Sequence, residues 1–182
     1  MKLQRDLREF VELLNSKGVE YVVVGGHAVA FHGFPRFTGD IDFFVCPTSK
    51  NAERIIEVLD AFGFGQAGLD SSALTTPGRV IQLGRPPNRI DLLTSISAVE
   101  FEDAWSSHVA GELDGLAVGF LSRDLLLQNK RAAGRAKDLP GSSGRELRGL
   151  DQPCADQPRW PGQPQLCGHG GIGLVQCAVA LL

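Results

Sequence analysis

The sequence predicts an α+β (mixed α/β) domain, a mixed β-sheet flanked by helices, followed by an irregular C-terminal tail. Three observations predict it. Short β-branched runs bounded by turn residues alternate with segments of helical periodicity. The pair Asp114-Gly115 sits between two strand-like runs, as in a hairpin. Periodicity stops after Leu139, where Pro, Gly, Gln and Cys take over. Residues 1–139 are therefore assigned to one domain and residues 140–182 to a tail. A chain of 182 residues, 43% hydrophobic and 21% charged, is long enough for one domain with a sizeable core and short for two.

The elements follow in order. Leu3, Leu7, Phe10, Val11 and Leu14 recur at helical spacing with charges between them, and Gly18 suits the end of that helix. Tyr21-Val22-Val23-Val24 reads as a strand buried on both faces, broken by Gly25-Gly26. One or two helical turns fit His27 to His32. Asp40 to Val45 is a second strand. Thr48 or Ser49 caps a helix whose apolar positions are Ala52, Ile55, Ile56, Leu59 and Phe62. Val80 to Leu83 and Arg89 to Leu93 are two more strands, joined by a turn over Arg85-Pro86-Pro87-Asn88. A short helix around Val99 to Trp105 precedes the hairpin of Val109 to Leu113 and Leu116 to Phe120. Ser122 then caps a helix through about Ala133, which Gly134 ends.

Composition bounds the function classes. The net charge of -3 and a pI near 5.8 do not fit a broad nucleic-acid-binding surface, though a local basic patch is compatible with them. No run approaches the roughly 18 apolar residues that a membrane helix needs. The charged start, Met1 to Asp6, lacks the apolar segment of a signal peptide. Four cysteines in that context suggest free thiols in a reducing compartment, and a cytoplasmic location is expected. The tail from Leu139 holds five Pro, eight Gly and three of the four Cys in 44 residues, a composition near that of low-complexity segments. It reads either as a flexible extension or as a segment foreign to the fold, such as a frameshifted end. Cys154, Cys167, His169 and Cys177 lack the paired spacing of a zinc knuckle.

Three acids stand out by position. Asp40 and Asp42 are two apart on one strand, so their side chains leave the same face, while Ile41, Phe43 and Val45 point the other way. Asp91 sits inside the otherwise apolar run Ile90-Asp91-Leu92-Leu93. Like charges so close repel, and a buried carboxylate needs a counter-charge. Three solutions fit the residues: hard divalent cations such as Mg²⁺, solvent at a cleft, or basic partners, with Asp40 capping the strand and Asp42 and Asp91 paired with Arg36 and Arg89. Gly25-Gly26, after a buried strand and before a helical turn, lets backbone N–H groups approach a phosphate. Arg36 and Thr38 precede the acid pair and can orient phosphate or pair with Asp40. Lys130, Arg131, Arg135 and Lys137 form a basic cluster at a helix end, either solvated or a phosphate or RNA contact.

These residues, Val24-Gly25-Gly26-His27-Ala28, Gly33, Arg36, Thr38-Gly39-Asp40-Ile41-Asp42-Phe43 and Arg89-Ile90-Asp91-Leu92, resemble the nucleotidyltransferase superfamily of the DNA polymerase beta-like fold. The likeness is to small prokaryotic members associated with toxin–antitoxin and abortive-infection systems, and it extends to the basic helix end at Lys130-Arg131. Gly26 stands where a Ser is commoner in that superfamily. The resemblance implies transfer of a nucleoside monophosphate from an NTP, ATP among them, to a hydroxyl on a protein, a tRNA end or a small molecule, with release of pyrophosphate. It implies that Asp40, Asp42 and Asp91 are the catalytic residues and hold two Mg²⁺ ions. Gly25, Gly26, Arg36, Thr38, Lys130 and Arg131 would then bind the nucleotide. The alternative is a catalytically inactive, antitoxin-like binding module of the same fold.

Overall fold

The computed structural model describes residues 3–34, 38–65, 69–85 and 89–134. The expected turn at 86–88, the site candidate Arg36, the basic residues Arg135 and Lys137, and the whole 140–182 tail with its cysteines lie outside the described residues.

The chain opens with helix α1 (Arg5–Ser16), whose buried positions Leu7, Phe10, Val11 and Leu14 are those the periodicity marks. Strand β1 (Tyr21–Val24) is buried throughout. Helix α2 (Gly25–Phe31) starts on the glycine pair itself, two residues earlier than the sequence suggests, because Gly25 takes the left-handed turn that swings the chain off the sheet. Strand β2 (Asp40–Val45) and helix α3 (Ser49–Ala61) follow, then a five-residue helix α4 (Ser71–Thr75). Strands β3 (Val80–Leu83) and β4 (Arg89–Leu93) precede helix α5 (Phe101–Ser106). The hairpin of β5 (Val109–Leu113) and β6 (Leu116–Phe120) turns on Asp114 and Gly115, both at positive φ. Helix α6 (Arg123–Ala133) ends on left-handed Gly134.

The six strands form one mixed sheet in the order β3-β4-β2-β1-β6-β5. β1 runs antiparallel to β2 and parallel to β6, and β2 runs parallel to β4. The two hairpins, β3–β4 and β5–β6, supply the outer strands. On one face, Phe43 meets Phe10 of α1 and Tyr21. On the other, Phe44 packs edge-on against Phe101 of α5. β2 is therefore apolar-buried on both faces along its C-terminal half, and its N-terminal half is left for Asp40 and Asp42.

Asn51 is a buried polar residue the sequence does not announce. Its Oδ1 accepts from the Glu20 backbone N–H at 2.8 Å, and its Nδ2 donates to the carbonyls of Glu20 and Cys46 at 3.0 Å each. It ties the start of α3 to the chain entering β1 and leaving β2. Asn51→Ala is expected to lower unfolding stability by at least about 2 kcal/mol, because buried backbone groups lose their partner. Chemical denaturation checks this; a loss no larger than that of a surface Asn would contradict it.

Candidate functional site

β2 and β4 are parallel and in register, with Asp42 opposite Asp91 and Asp40 opposite Arg89. Paired residues of neighbouring strands point to the same side, so Asp40, Asp42, Asp91 and Arg89 share one face. The same registry pairs Val24, the last residue of β1, with Asp42. Gly25 and the start of α2 therefore stand over the acids at the end of the two central strands.

Gly25 lies hard against Asp42. A Cβ built on it would fall 2.0 Å from Asp42 Oδ2 and 2.7 Å from its Cγ, and its φ is +63°. Glycine is required here twice over, by approach and by conformation. Gly26 is close to Thr38: a Cβ there would sit 3.0 Å from both the Thr38 Cβ and its Oγ1. The Thr38 hydroxyl donates to the Asp40 carbonyl at 3.0 Å. The space a serine side chain would need at position 26 is thus bordered by the Thr38 hydroxyl.

Arg89 supplies the counter-charge. Its Nη2 donates to Asp40 Oδ2 at 2.7 Å and to Asp91 Oδ2 at 3.0 Å, and its Nε donates to Asp91 Oδ1 at 2.9 Å. The Asp91 pair is a two-point fork, the strong form of an Arg–carboxylate contact. Hydrogen bonding to Asp91, with the charges of Asp91, Asp40 and Asp42 behind it, pushes the Arg89 guanidinium further above its usual value despite some desolvation. Of the ion pairs the sequence leaves open, the one between Asp91 and Arg89 is present, and Asp40 joins it.

His27 follows the glycines and is buried. Burial pushes its pKa down, against a hydrogen bond to the Asp40 backbone that raises it. Nδ1 of His27 finds no partner among the described residues. His32 is also buried, and its Nε2 bonds the Leu121 carbonyl at 2.8 Å, which pins the end of α2 to the entry of α6. Lys130 is no part of a solvated helix end: it lies with Leu126 and Leu127 on the buried side of α6, the helix that packs against α2. Arg131, the next residue, is on the exposed side.

The structure thus brings together Asp40, Asp42, Asp91, Gly25, Gly26 and Thr38. One neighbour escapes a reading by motif. Gln82 is paired with Asp91 across β3–β4 and is exposed on the same face, which only strand registry reveals. His27, which stands in the glycine motif itself, is tied to Asp40 through the backbone.

The donor chemistry fits a hard divalent cation, with three carboxylates on one face and no Cβ at Gly25 to crowd Asp42. The fit has a condition. Among the described residues no three acid, His or Cys side chains are gathered into a ready metal cage, and Arg89 occupies oxygens of Asp40 and Asp91. Asp40, Asp42 and Asp91 are the residues that would hold such a cation.

Residues 3–137 match the model of a family described as nucleotidyl transferase of unknown function (DUF2204). The chain belongs to this nucleotidyl transferase family. Its chemistry is accordingly transfer of a nucleotidyl group, with a nucleotide as substrate. No curated protein matches the sequence. Among solved structures, the nucleotidyltransferase fold is shared with TM1012 of Thermotoga maritima, a crystal structure assigned to a nucleotidyltransferase. The two are 17% identical, the likeness covers 79% of this chain and 89% of that one, and the TM-score is 0.50. The lincosamide antibiotic adenylyltransferase LnuA, solved with lincomycin bound, is 14% identical with 82% and 97% covered and a TM-score of 0.47. The antibiotic-resistance factor ANT(2'')-Ia, solved in solution, is 13% identical with 79% of each chain covered and a TM-score of 0.47. Among the described residues no helix of this nucleotidyl transferase is long and apolar enough to cross a membrane.

Proposed function

We propose that this nucleotidyl transferase moves a nucleoside monophosphate from an NTP to a hydroxyl acceptor, with Mg²⁺ held by Asp40, Asp42 and Asp91. The observation that carries the reading is the parallel registry that sets Asp42 beside Asp91 and under Gly25. A strand end, a glycine turn without side chains and converging carboxylates together form a place where phosphates and their counter-cations meet.

The residues divide the work. The backbone at Gly25 and Gly26 borders the triphosphate, since no Cβ blocks its approach. Thr38, Arg36 and Lys130 add polar or cationic contacts to the phosphates, and Arg131 extends that charge along α6. Asp91 takes the proton from the attacking hydroxyl on a carboxylate oxygen. The acceptor oxygen bonds to the α-phosphorus as the bond to the bridging oxygen breaks, and pyrophosphate leaves. Mg²⁺ held by Asp40, Asp42 and Asp91, as one or two ions, would supply charge neutralisation to the phosphates. Catalysis on this reading is chiefly positioning and charge neutralisation.

The acceptor is a hydroxyl of a protein, an RNA end or a small molecule, with a toxin–antitoxin partner as one setting. A second reading, an inactive binding module of the same fold, is favoured by one observation, the guanidinium lodged between Asp40 and Asp91. Incubating the full chain with α-labelled NTPs, Mg²⁺ and candidate acceptors decides between them. Label transferred to an acceptor with pyrophosphate released supports the enzyme. Nucleotide bound but never transferred, to any acceptor or to water, supports the module.

A further inference from the structure

Three carboxylates on one sheet face would repel strongly in the absence of any counter-charge. Arg89 prevents that from within the same pair of strands. It stands on β4 opposite Asp40, two residues before Asp91, and one nitrogen, Nη2, serves both carboxylates. The guanidinium is itself only partly covered: its side chain is 28% exposed, against 8% for Asp91. It can therefore leave for solvent without unpacking the core. The oxygens it holds, Oδ2 of Asp40 and both oxygens of Asp91, are those a hard cation between the two strands would need.

We infer that Arg89 is the internal counter-cation of this site: it keeps Asp40 and Asp91 together in the cation-free chain, and a divalent cation binds by displacing it. The inference rests on the metal-dependent reading above. It assigns Arg89 a positioning and gating role. The guanidinium makes no bond in the reaction; it sets how much cation is needed to open the site. Two consequences follow. The cation-free protein is held by the fork, so removing it loosens the apo site. The cation competes with a fixed positive charge, so removing that charge tightens cation binding. An opposite charge at this range shifts a carboxylate's affinity for a proton by roughly 1–3 logarithmic units, and competition with a cation is expected to be at least at the low end, about tenfold.

The test is calorimetric titration of the full chain with MnCl₂, without nucleotide, for wild type, Arg89→Met and Arg89→Lys. Met keeps the length of the apolar stem and removes the fork. Lys keeps a charge that cannot bridge two carboxylates in the same geometry. Arg89→Met is expected to bind Mn²⁺ about tenfold or more tightly than wild type, with Arg89→Lys between them. Thermal unfolding gives a second readout: in chelator Arg89→Met melts below wild type, and saturating Mn²⁺ raises its Tm by more. Adding Asp42→Asn to Arg89→Met should remove the binding heat, which locates it at this site. Should Arg89→Met fail to fold, the Lys variant decides by the same titration. Equal or weaker Mn²⁺ binding in the folded variants, with wild type still binding, overturns the counter-cation role and leaves the proposed function standing. No binding by any of the proteins, with or without NTP, overturns both.

Discussion

Asp42→Asn is expected to lower nucleotidyl transfer by at least about 10²-fold, since ligands of a catalytic cation supply several kcal/mol of charge stabilisation. The substitution is nearly isosteric, so the close contact with Gly25 is kept and the fold is expected to stay intact. Asp42 faces the Arg89 guanidinium as well as the other two carboxylates, so attraction and repulsion are lost together and Tm is expected to change little. The discriminating pattern is therefore a large loss of rate beside a small change in stability. It is read by initial rates with labelled NTP beside a thermal melt of the same preparation. Unchanged rates would remove Asp42 from the chemistry.

Gly25→Ala has the second-largest expected effect, and for a different reason. An alanine at φ +63° carries a backbone penalty of roughly 1–2 kcal/mol. Its Cβ would also overlap the Asp42 carboxylate at 2.0 Å, so either Asp42 or α2 must move. Misplacing a catalytic group by about 1 Å can lower a rate roughly 10²-fold. Gly18→Ala is the matched control, because Gly18 has φ +62° and nothing within 4 Å of a built Cβ. Both variants should lose similar stability from the backbone, and only Gly25→Ala should lose transfer. Equal transfer by the two would show that the approach to Asp42 does not matter.

Much of this fold is legible because its signals are local. The β-branched runs, the Asp-Gly hairpin and the glycines at 18 and 134 each specify their element within a few residues, and all six strands fall where those signals place them. α4 escapes such a reading because five residues with one buried side chain, Leu74, show no period. Asn51 escapes it because its three partners are backbone groups brought in from elsewhere in the chain. The same contrast holds at the site. That Asp40 and Asp42 share a face follows from a period of two. That Asp91 joins them depends on β2 and β4 pairing in parallel and in register, although they are separated by α3, α4 and β3. Local pattern names Arg89 as one candidate partner of the acids; its hold on both strands at once is a tertiary fact.

The resemblance to nucleotidyltransferases, carried by the glycine pair and the three acids, agrees with the family to which residues 3–137 belong. The basic cluster divides on folding. Lys130 turns inward on α6 while Arg131 faces out, so the two share a sequence motif but not an environment.

The most direct measurement is equilibrium binding of an NTP to the full chain, with Mg²⁺ and with chelator, for wild type and Asp42→Asn. It needs no knowledge of the acceptor. The expected result is NTP binding that depends on Mg²⁺ in wild type and is lost or strongly weakened in Asp42→Asn. Binding of equal affinity with chelator and with Mg²⁺, unaffected by the substitution, would contradict a cation-assisted nucleotide site at Asp40, Asp42 and Asp91.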